Sequence, residues 1–185
     1  MTFFEIFILG LGLAMDAFAV SICKGLSVDK IKTKYAMITG AYVGGFQAIM
    51  PLVGYFLGSR FSTLISSYSH WVAFILLVII GANMIKEGCS SCESLDASFS
   101  IGAMLPLAIA TSIDALAVGV SLAFLEADIV FSATVIGIIT FLLSGVGLFI
   151  GNLFGLKYRS KAELAGGIIL ILIGTKILLE GLIGG

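Results

Sequence analysis

Two aspartates lie inside long apolar stretches of this sequence, and they are the side chains best placed to do chemistry. Asp16 lies in the apolar run 15–20 and Asp114 in the run 113–118. A carboxylate in a membrane-spanning helix costs roughly 2.5 to 3.5 kcal/mol, so both are expected to face the protein interior. No lysine or arginine lies at matching depth in both halves, which favours a shared proton or a bound cation. A purely structural role for each aspartate stays open.

Neutral polar residues accompany the two aspartates. Thr111 and Ser121 lie on the helix face of Asp114, with Ser112 to one side, because they are spaced by about whole turns. Hydroxyl, amide and carboxylate oxygens suit Mg²⁺, Ca²⁺ or Mn²⁺, and a nearby thioether such as Met15 favours Mn²⁺. The candidate metal ligands are therefore Asp16, Asp114, Thr111, Ser112, Gln47, Asn83 and Ser144. Ordinary hydrogen bonding between helices is the alternative for each neutral residue.

Two glutamates end predicted helices and complete the candidate site residues. Glu87 closes the third apolar segment and Glu180 the sixth, on opposite membrane faces. They are expected either to attract cations at the two mouths or to anchor the helices at the interface. Lys176 lies one turn before Glu180, so an ion pair along one helix face is favoured over a substrate role there.

The composition indicates that these residues are positioned by membrane-spanning helices. The chain has 185 residues, of which 59% are hydrophobic and 11% are charged, and its net charge is −1. Its mean hydropathy is +1.18, far above that of soluble domains. We therefore predict one integral membrane domain over residues 1–185, with the first helix retained rather than cleaved as a signal. The charge balance leaves no basic surface for nucleic acid.

Six segments are long and apolar enough to cross a bilayer as helices. They cover about residues 2–26, 34–58, 70–88, 100–125, 128–156 and 163–183. The fold class predicted is therefore an all-α integral membrane protein with six transmembrane helices and short connections.

The two halves of the chain repeat one another. Residues 15–20 match 113–118 at an offset of 98, PLVGYFLG at 51–58 aligns with 148–155 at an offset of 97, and a third match has an offset of 93. Repeat one covers about residues 1–88 and repeat two about 100–185. Three helices per repeat force the second copy to enter the membrane upside down, and inverted repeats are typical of transporters with a midplane site.

Basic residues set the predicted orientation. The first loop carries Lys30, Lys32 and Lys34, and the fifth carries Lys157, Arg159 and Lys161. Lysine and arginine concentrate in cytoplasmic loops, so both termini are predicted outside the bacterial inner membrane.

Small residues, prolines and cysteines have simpler interpretations. Gly54-x-x-x-Gly58 and Gly151-x-x-x-Gly155 are assigned to close helix packing, and Pro51 and Pro106 to kinks inside spans. The motif Cys89-Ser-Ser-Cys92 lies in a loop predicted to be cytoplasmic, where its thiols would be reduced, with Cys23 left over. A redox or soft-metal role for this pair remains the less favoured interpretation.

Several motifs in order resemble the MntP family of manganese efflux pumps over essentially the whole chain. They are residues 15–19 with Lys24-Gly25, residues 70–74 leading to Glu87-Gly88, and residues 110–115 with 117–119. The resemblance implies a six-helix exporter of Mn²⁺ from the bacterial cytoplasm, related to the LysE-type exporters, with the two aspartates as the prime functional residues. The family often has an acidic residue where this chain has Gln47.

The expected function is secondary transport, with Mn²⁺ as substrate and no resident cofactor. No nucleotide-binding G-x-x-x-x-G-K-[ST] motif is present, so metal export is expected to be coupled to protons at the two aspartates. The alternatives are a passive divalent-cation channel, a membrane enzyme that uses the Cys89 and Cys92 thiols, and an exporter of another cation such as a basic amino acid.

Overall fold

The structure, a computed structural model, describes residues 2–28, 31–60, 69–88, 98–154 and 159–183. Within these ranges the chain forms seven helices. They are α1 (Phe3–Leu26), α2 (Thr33–Ser59), α3 (Ser69–Gly88), α4 (Ile101–Thr111), α5 (Ile113–Phe124), α6 (Ile129–Phe154) and α7 (Arg159–Ile183). The all-helical fold class is confirmed.

The helices have the length and surface of a multi-pass membrane protein. Five stretches of described chain are long and apolar enough to span a bilayer, and His70–Lys86 in α3 adds a shorter apolar helix. Large apolar side chains cover the outside, including Phe56, Ile79 and Leu172 at about 60% exposure or more. Because a soluble monomer rarely exposes so much apolar surface, lipid is the expected surrounding medium.

Two helices begin at side chains that bind free backbone amides. At α1, the Thr2 hydroxyl accepts a hydrogen bond from the Glu5 amide, and the Glu5 carboxylate accepts one from the Thr2 amide at 2.7 Å. At α6, the Asp128 carboxylate accepts a hydrogen bond from the Phe131 amide at 3.1 Å. These caps fix where the chain enters each helix, since the first amides of a helix have no partner within it.

The fourth span is broken, which the prediction of one helix over 100–125 did not anticipate. The break lies at Ser112, whose backbone angles are φ −103° and ψ 1°, between α4 and α5. It does not coincide with a proline: Pro106 lies inside α4, and α2 runs unbroken through Pro51.

Packing is almost entirely between the two halves of the chain. α1 packs on α6 and α7, α2 on α5 and α6, and α3 on α7 and α5. In the repeat, α1 corresponds to α4 and α5, α2 to α6, and α3 to α7. When each helix is replaced by its counterpart, this set of contacts is unchanged. Among the described residues, helix packing therefore joins one half of the chain to the other.

Glycine contacts give the direction of each helix. Going up α1 from Gly10 to Gly25, its neighbours on α6 rise from Ile136 to Leu148, so these two helices are parallel. The same comparison makes α2 parallel to α5 and antiparallel to α6. It follows that α1 is antiparallel to α5, so the second half runs through the fold in the opposite direction to the first, as the repeat predicts.

The contacts also correct the register of the repeat in its second helix. Gly44 and Gly137 face each other. Gly54 packs on Leu116, and Gly147 packs on Phe18, the repeat equivalent of Leu116. Gly58 packs on Val120, and Gly151 packs on Ile22, the repeat equivalent of Val120. All three glycine pairs are 93 residues apart. The predicted offset of 97 is therefore wrong by about one helical turn. Under the observed register, Gln47 corresponds to Thr140 rather than to Ser144.

Candidate metal site

Asp16 is buried in the middle of the bundle. Its side chain lies in α1 and the residue is 7% exposed. The adjacent Ala17 belongs to one apolar cluster with Val43 of α2 and Ala108 of α4. This cluster joins the turn of α1 that carries Asp16 to the end of α4, where the fourth span breaks.

Asp114 follows the helix break and is half-buried in the first turn of α5. At the break, the Ser112 hydroxyl donates to the Ala108 carbonyl at 2.6 Å, and the Thr111 hydroxyl donates to the carbonyls of Leu107 at 3.0 Å and Ala108 at 3.2 Å. Hydroxyl groups that bind the preceding turn compete with the backbone ladder and bend helices. Thr111 and Ser112 are buried, so the break places two hydroxyls directly before Asp114.

Gln47 lies beside this break. On α2 it lies between Val43, which clusters with Ala108, and Pro51, whose carbonyl faces Gly119. Because α2 and α5 are parallel, Gln47 is level with residues 109–118, a range that includes Asp114. Its amide is fully buried, and neither amide atom has a hydrogen-bond partner in the described part of the chain.

Ser144 lies on α6, which packs on α1. On α6 it lies between Ile136, which contacts Gly10, and Gly147, which contacts Phe18. The parallel run of α1 and α6 then places it level with residues 11–17 of α1. The Ser144 hydroxyl is fully buried, and no described residue forms a hydrogen bond with it.

The remaining predicted ligands are on α3 and α7. Asn83 is exposed on α3, and Glu180 is exposed near the end of α7. Glu87 is in the last turn of α3, but its side chain lies outside the described residues. Thr111, Ser112, Gln47 and Ser144 are thus buried within the bundle, whereas Asn83 and Glu180 are exposed.

An ion-paired cluster lies at the end of the bundle that holds the N-terminus. The Lys176 ammonium pairs with Glu180 at 3.4 Å, as the sequence predicts, and also with Glu5 of α1. A pocket of about 470 Å³ opens beside them, lined also by His70. The contact with Glu5 joins the two halves at this mouth, and sequence reasoning missed it because the partners are far apart in the chain.

Two buried charged residues were also missed. Lys24 is 2% exposed, donates to the Ser98 carbonyl at 2.7 Å, and lies 5.0 Å from the centre of the Phe99 ring. Glu163 is 1% exposed near the start of α7. Both lie close to helix ends, where long charged side chains are expected to reach out to water.

The cysteines depart from expectation at one position. Cys23, which the sequence analysis left over beside the Cys89 and Cys92 pair, is buried and disulfide-bonded. The other two cysteines, Cys89 and Cys92, lie outside the described residues, as do Gly155 and Lys157. The remaining close-packing prediction holds, since Gly54, Gly58 and Gly151 all meet backbone of a neighbouring helix.

The charge available near the site limits its chemistry. No group of three or more histidine, cysteine, aspartate or glutamate side chains suited to a metal occurs among the described residues. Oxygen-rich sites suit Mn²⁺ and Mg²⁺ better than softer ions.

Comparison with known proteins identifies the family. A family model described as "Putative manganese efflux pump" matches residues 30–178. This chain belongs to that family. The resemblance found in the sequence motifs is thereby confirmed, and the family's description as a pump indicates a transporter rather than an enzyme.

Individual members of the manganese efflux pump family match over nearly their full length. A protein of Desulfitobacterium hafniense (strain Y51) is 56% identical, covering 96% of this chain and 95% of the relative. One from Campylobacter jejuni (strain RM1221) is 53% identical and covers 98% of both chains, and one from Bifidobacterium longum (strain DJO10A) is 46% identical, covering 96% and 94%. All three carry the name MntP. No solved structure matches the chain.

Proposed function

We propose that this protein exports Mn²⁺ from the bacterial cytoplasm in exchange for protons, at a site built around Asp16 and Asp114. The observation that carries the proposal is the burial of Asp16, at 7% exposure, in a helix long and apolar enough to span a membrane. The names of the relatives support Mn²⁺ as the substrate. Burial of a carboxylate at such depth is costly and marks an ion or proton pathway.

The neutral groups suit a cation that accepts oxygen ligands. The Thr111 and Ser112 hydroxyls each donate their hydrogen to an α4 carbonyl. A hydroxyl oxygen that donates keeps its lone pairs, so it still accepts a metal ion. With the Gln47 amide oxygen, these groups would supplement the two carboxylates at the broken end of α4. Broken membrane helices commonly form ion sites in transporters.

Charge balance favours exchange with two protons. Two carboxylates and one Mn²⁺ form a neutral site, and the same two carboxylates are neutral when each holds a proton. Exchange of one Mn²⁺ for two protons therefore moves no net charge, and it avoids the cost of about 2.3 kcal/mol for each charge moved across 100 mV. Export of Mn²⁺ alone against a negative-inside potential of that size would cost about 4.6 kcal/mol.

The inverted halves supply a means of alternating access. Because nearly all helix packing joins one half to the other, a rocking motion between the halves changes access to a site that lies between them. On the predicted topology, Lys24 lies at the cytoplasmic end of α1, and the Glu5–Lys176 ion pair lies at the outer mouth. Mn²⁺ would enter near Lys24 and leave near the ion pair.

Proteoliposomes test the coupling directly. We expect a pH gradient alone to drive accumulation of Mn²⁺ against its own gradient, at a rate that is unchanged when potassium and valinomycin clamp the membrane potential. Adding nigericin to collapse the pH gradient should stop accumulation. The measurement is uptake of MnCl₂ followed by a metal-sensitive dye.

Protein-free vesicles provide the background rate in this assay. Mn²⁺ uptake that follows the clamped potential, does not saturate with MnCl₂ and ignores the pH gradient would contradict proton exchange and identify a passive channel instead. Uptake that persists at full rate after both gradients collapse would exclude coupling altogether.

A further inference from the structure

Glu163 is a buried carboxylate that the proposed export site does not use. It lies in the second turn of α7, which begins at Arg159, and it is 1% exposed. Fully buried glutamates are rare in proteins, and an ionisable side chain inside a membrane domain is costly and usually marks an ion pathway. Its burial therefore indicates a role inside the bundle.

Three helices meet one turn from Glu163, at Gly166 of α7. A Cβ atom placed at Gly166 would lie 2.6 Å from Cε of Met84 on α3 and 2.7 Å from Cβ of Met15 on α1. Glu163 is three residues before Gly166, and residues three apart are neighbours on a helix surface. The Glu163 side chain therefore begins beside the junction of α1, α3 and α7.

The direction in which α7 packs on α1 gives the height of Glu163. Gly166 contacts Met15, whereas Leu170, one turn later on α7, contacts Gly12, which lies earlier on α1. The two helices are therefore antiparallel. One turn in the other direction along α7 places Glu163 level with the turn of α1 that carries the buried aspartate.

Glu163 and Asp16 also lie on the helix faces that form one buried apolar cluster. Glu163 is seven residues, or about two turns, before Leu170, and Asp16 is three residues after Leu13. Residues at these spacings share a helix face. Leu170 and Leu13 belong to the same cluster, which also contains Met84. The two carboxylates are thus directed toward the same interior region.

Asp16, Glu163 and Met84 mark one end of this cluster. The α1 members of the cluster all come before Asp16. Its buried α7 members, at 170–177, come after Glu163, and Met84 is the last of its α3 members, at 73–84. Because α7 is antiparallel to both α1 and α3, these are the same end of the cluster, and on the predicted topology it is the cytoplasmic end.

Met84 supplies the one donor atom among the buried members of the cluster in the described chain. The other buried members are leucine, isoleucine, valine and alanine residues, which have no atom that binds a metal. Met84 is 1% exposed, and its thioether sulfur is a soft ligand. Methionine also fills gaps in cores, so packing is the alternative role that an experiment must exclude.

We infer that Asp16, Glu163 and the Met84 thioether form the site that loads the transported divalent cation from the cytoplasm. This inference rests on the proposed function and extends it by naming a further carboxylate and a sulfur ligand. Two carboxylates neutralise one divalent cation, so the loaded site carries no net charge. The thioether is softer than oxygen, so Met84 favours Mn²⁺ over the harder Mg²⁺.

Glu163→Gln tests the carboxylate, because it keeps the size of the side chain and removes its charge. Inverted membrane vesicles present the cytoplasmic face to added MnCl₂. We expect the MnCl₂ concentration for half-maximal uptake to rise at least about tenfold, since the loaded site then carries a net positive charge. The rise in melting temperature that MnCl₂ produces in the purified protein should shrink as well. Glu163→Asp keeps the charge and should shift both properties less.

Met84→Leu tests the thioether without changing a charge. Leucine and methionine have similar volumes, so the core is expected to stay packed. MgCl₂ should then inhibit Mn²⁺ uptake at a roughly three- to tenfold lower concentration, because the soft ligand that distinguishes the two ions is gone. The measurement is Mn²⁺ uptake by the same vesicles over a series of MgCl₂ concentrations.

Matched controls make the same two changes elsewhere. Glu126→Gln alters an exposed glutamate between α5 and α6, and Met104→Leu alters a fully buried methionine of α4 that is outside the cluster. Both variants should keep the original half-maximal MnCl₂ concentration and the original sensitivity to MgCl₂.

Two results for Glu163→Gln would overturn the loading site. One is a normal half-maximal MnCl₂ concentration at normal protein abundance. The other is a lower melting temperature without metal together with a normal melting response to MnCl₂, which is the behaviour of a purely structural charge. Unchanged sensitivity to MgCl₂ in Met84→Leu would overturn the assignment of the thioether.

The outcome is separable from that of the proposed function. Loss of export in Asp16→Asn and Asp114→Asn together with normal responses in Glu163→Gln and Met84→Leu would overturn only the loading site. Normal export in both aspartate variants would overturn the proposed carboxylate site itself.

Discussion

Asp114→Asn and Asp16→Asn are each expected to lower Mn²⁺ export at least about a hundredfold. The reason is charge balance: with one asparagine, the metal-loaded site carries a net positive charge inside the membrane, which costs roughly 2.5 to 3.5 kcal/mol. Each 1.4 kcal/mol corresponds to a factor of ten. Asparagine has nearly the same shape as aspartate, so the expected loss arises from charge rather than from packing.

Cellular manganese content and manganese tolerance measure this effect in intact bacteria, with immunoblots of the membrane fraction to establish equal protein levels. The control is Asp128→Asn, the same change at an exposed position that caps α6. Asparagine also caps helices, so this variant should export normally. The double variant leaves two uncompensated positive charges on the loaded site, so it should export no better than either single variant. Normal export by both single variants at normal abundance would show that export does not require these carboxylates and would contradict the proposed site.

Composition and hydrophobic length were enough to predict the helical membrane fold. Stretches of about 20 apolar residues have few alternatives to a spanning helix, because lipid offers no partner for free backbone groups. The break at Ser112 was not predictable in the same way. Pro106 is the stronger breaking signal by residue type, yet α4 continues through it, and the break comes at Ser112, six residues later.

The register of the repeat shows a different limit of sequence reasoning. Matching PLVGYFLG to LFIGNLFG gives every identical letter the same weight and yields an offset of 97. In the fold, the glycines that matter are those that touch a neighbouring backbone, and Gly44 with Gly137 fixes the offset at 93. This one-turn correction identifies Thr140 as the counterpart of Gln47. Thr140 is an unremarkable residue in the sequence, within an apolar run.

The candidate site was predictable in its charges but not in its surroundings. Asp16 and Asp114 stand out because carboxylates are rare in apolar runs. A neutral residue such as Met84 gives no such signal, since methionine commonly fills apolar cores. Lys24 and Glu163 were missed for the opposite reason, because charged residues near helix ends normally reach water.

Gly54→Ala is expected to destabilise the protein by at least about 3 kcal/mol, at the upper end of the usual cost of overpacking. A Cβ atom at Gly54 would lie 2.0 Å from the Leu116 carbonyl oxygen of α5. That atom belongs to a helix backbone, so α2 and α5 must separate to admit a single methyl group. The contact joins the two halves, and its repeat equivalent, Gly147 against Phe18, would resist the resulting shift on the other side of the bundle.

Gly45→Ala on the same helix is the matched control, because no atom lies within 4 Å of a Cβ placed there. Alanine is favoured over glycine in a helix by up to about 1 kcal/mol, so this variant should be as stable as the original protein or more stable. Thermal unfolding in detergent and abundance in the membrane fraction measure both changes. The prediction is therefore one of opposite sign for the same substitution nine residues apart. Equal unfolding temperatures for the two variants would show that α2 and α5 do not pack at Gly54, and the inverted arrangement of the halves would lose one of its main contacts.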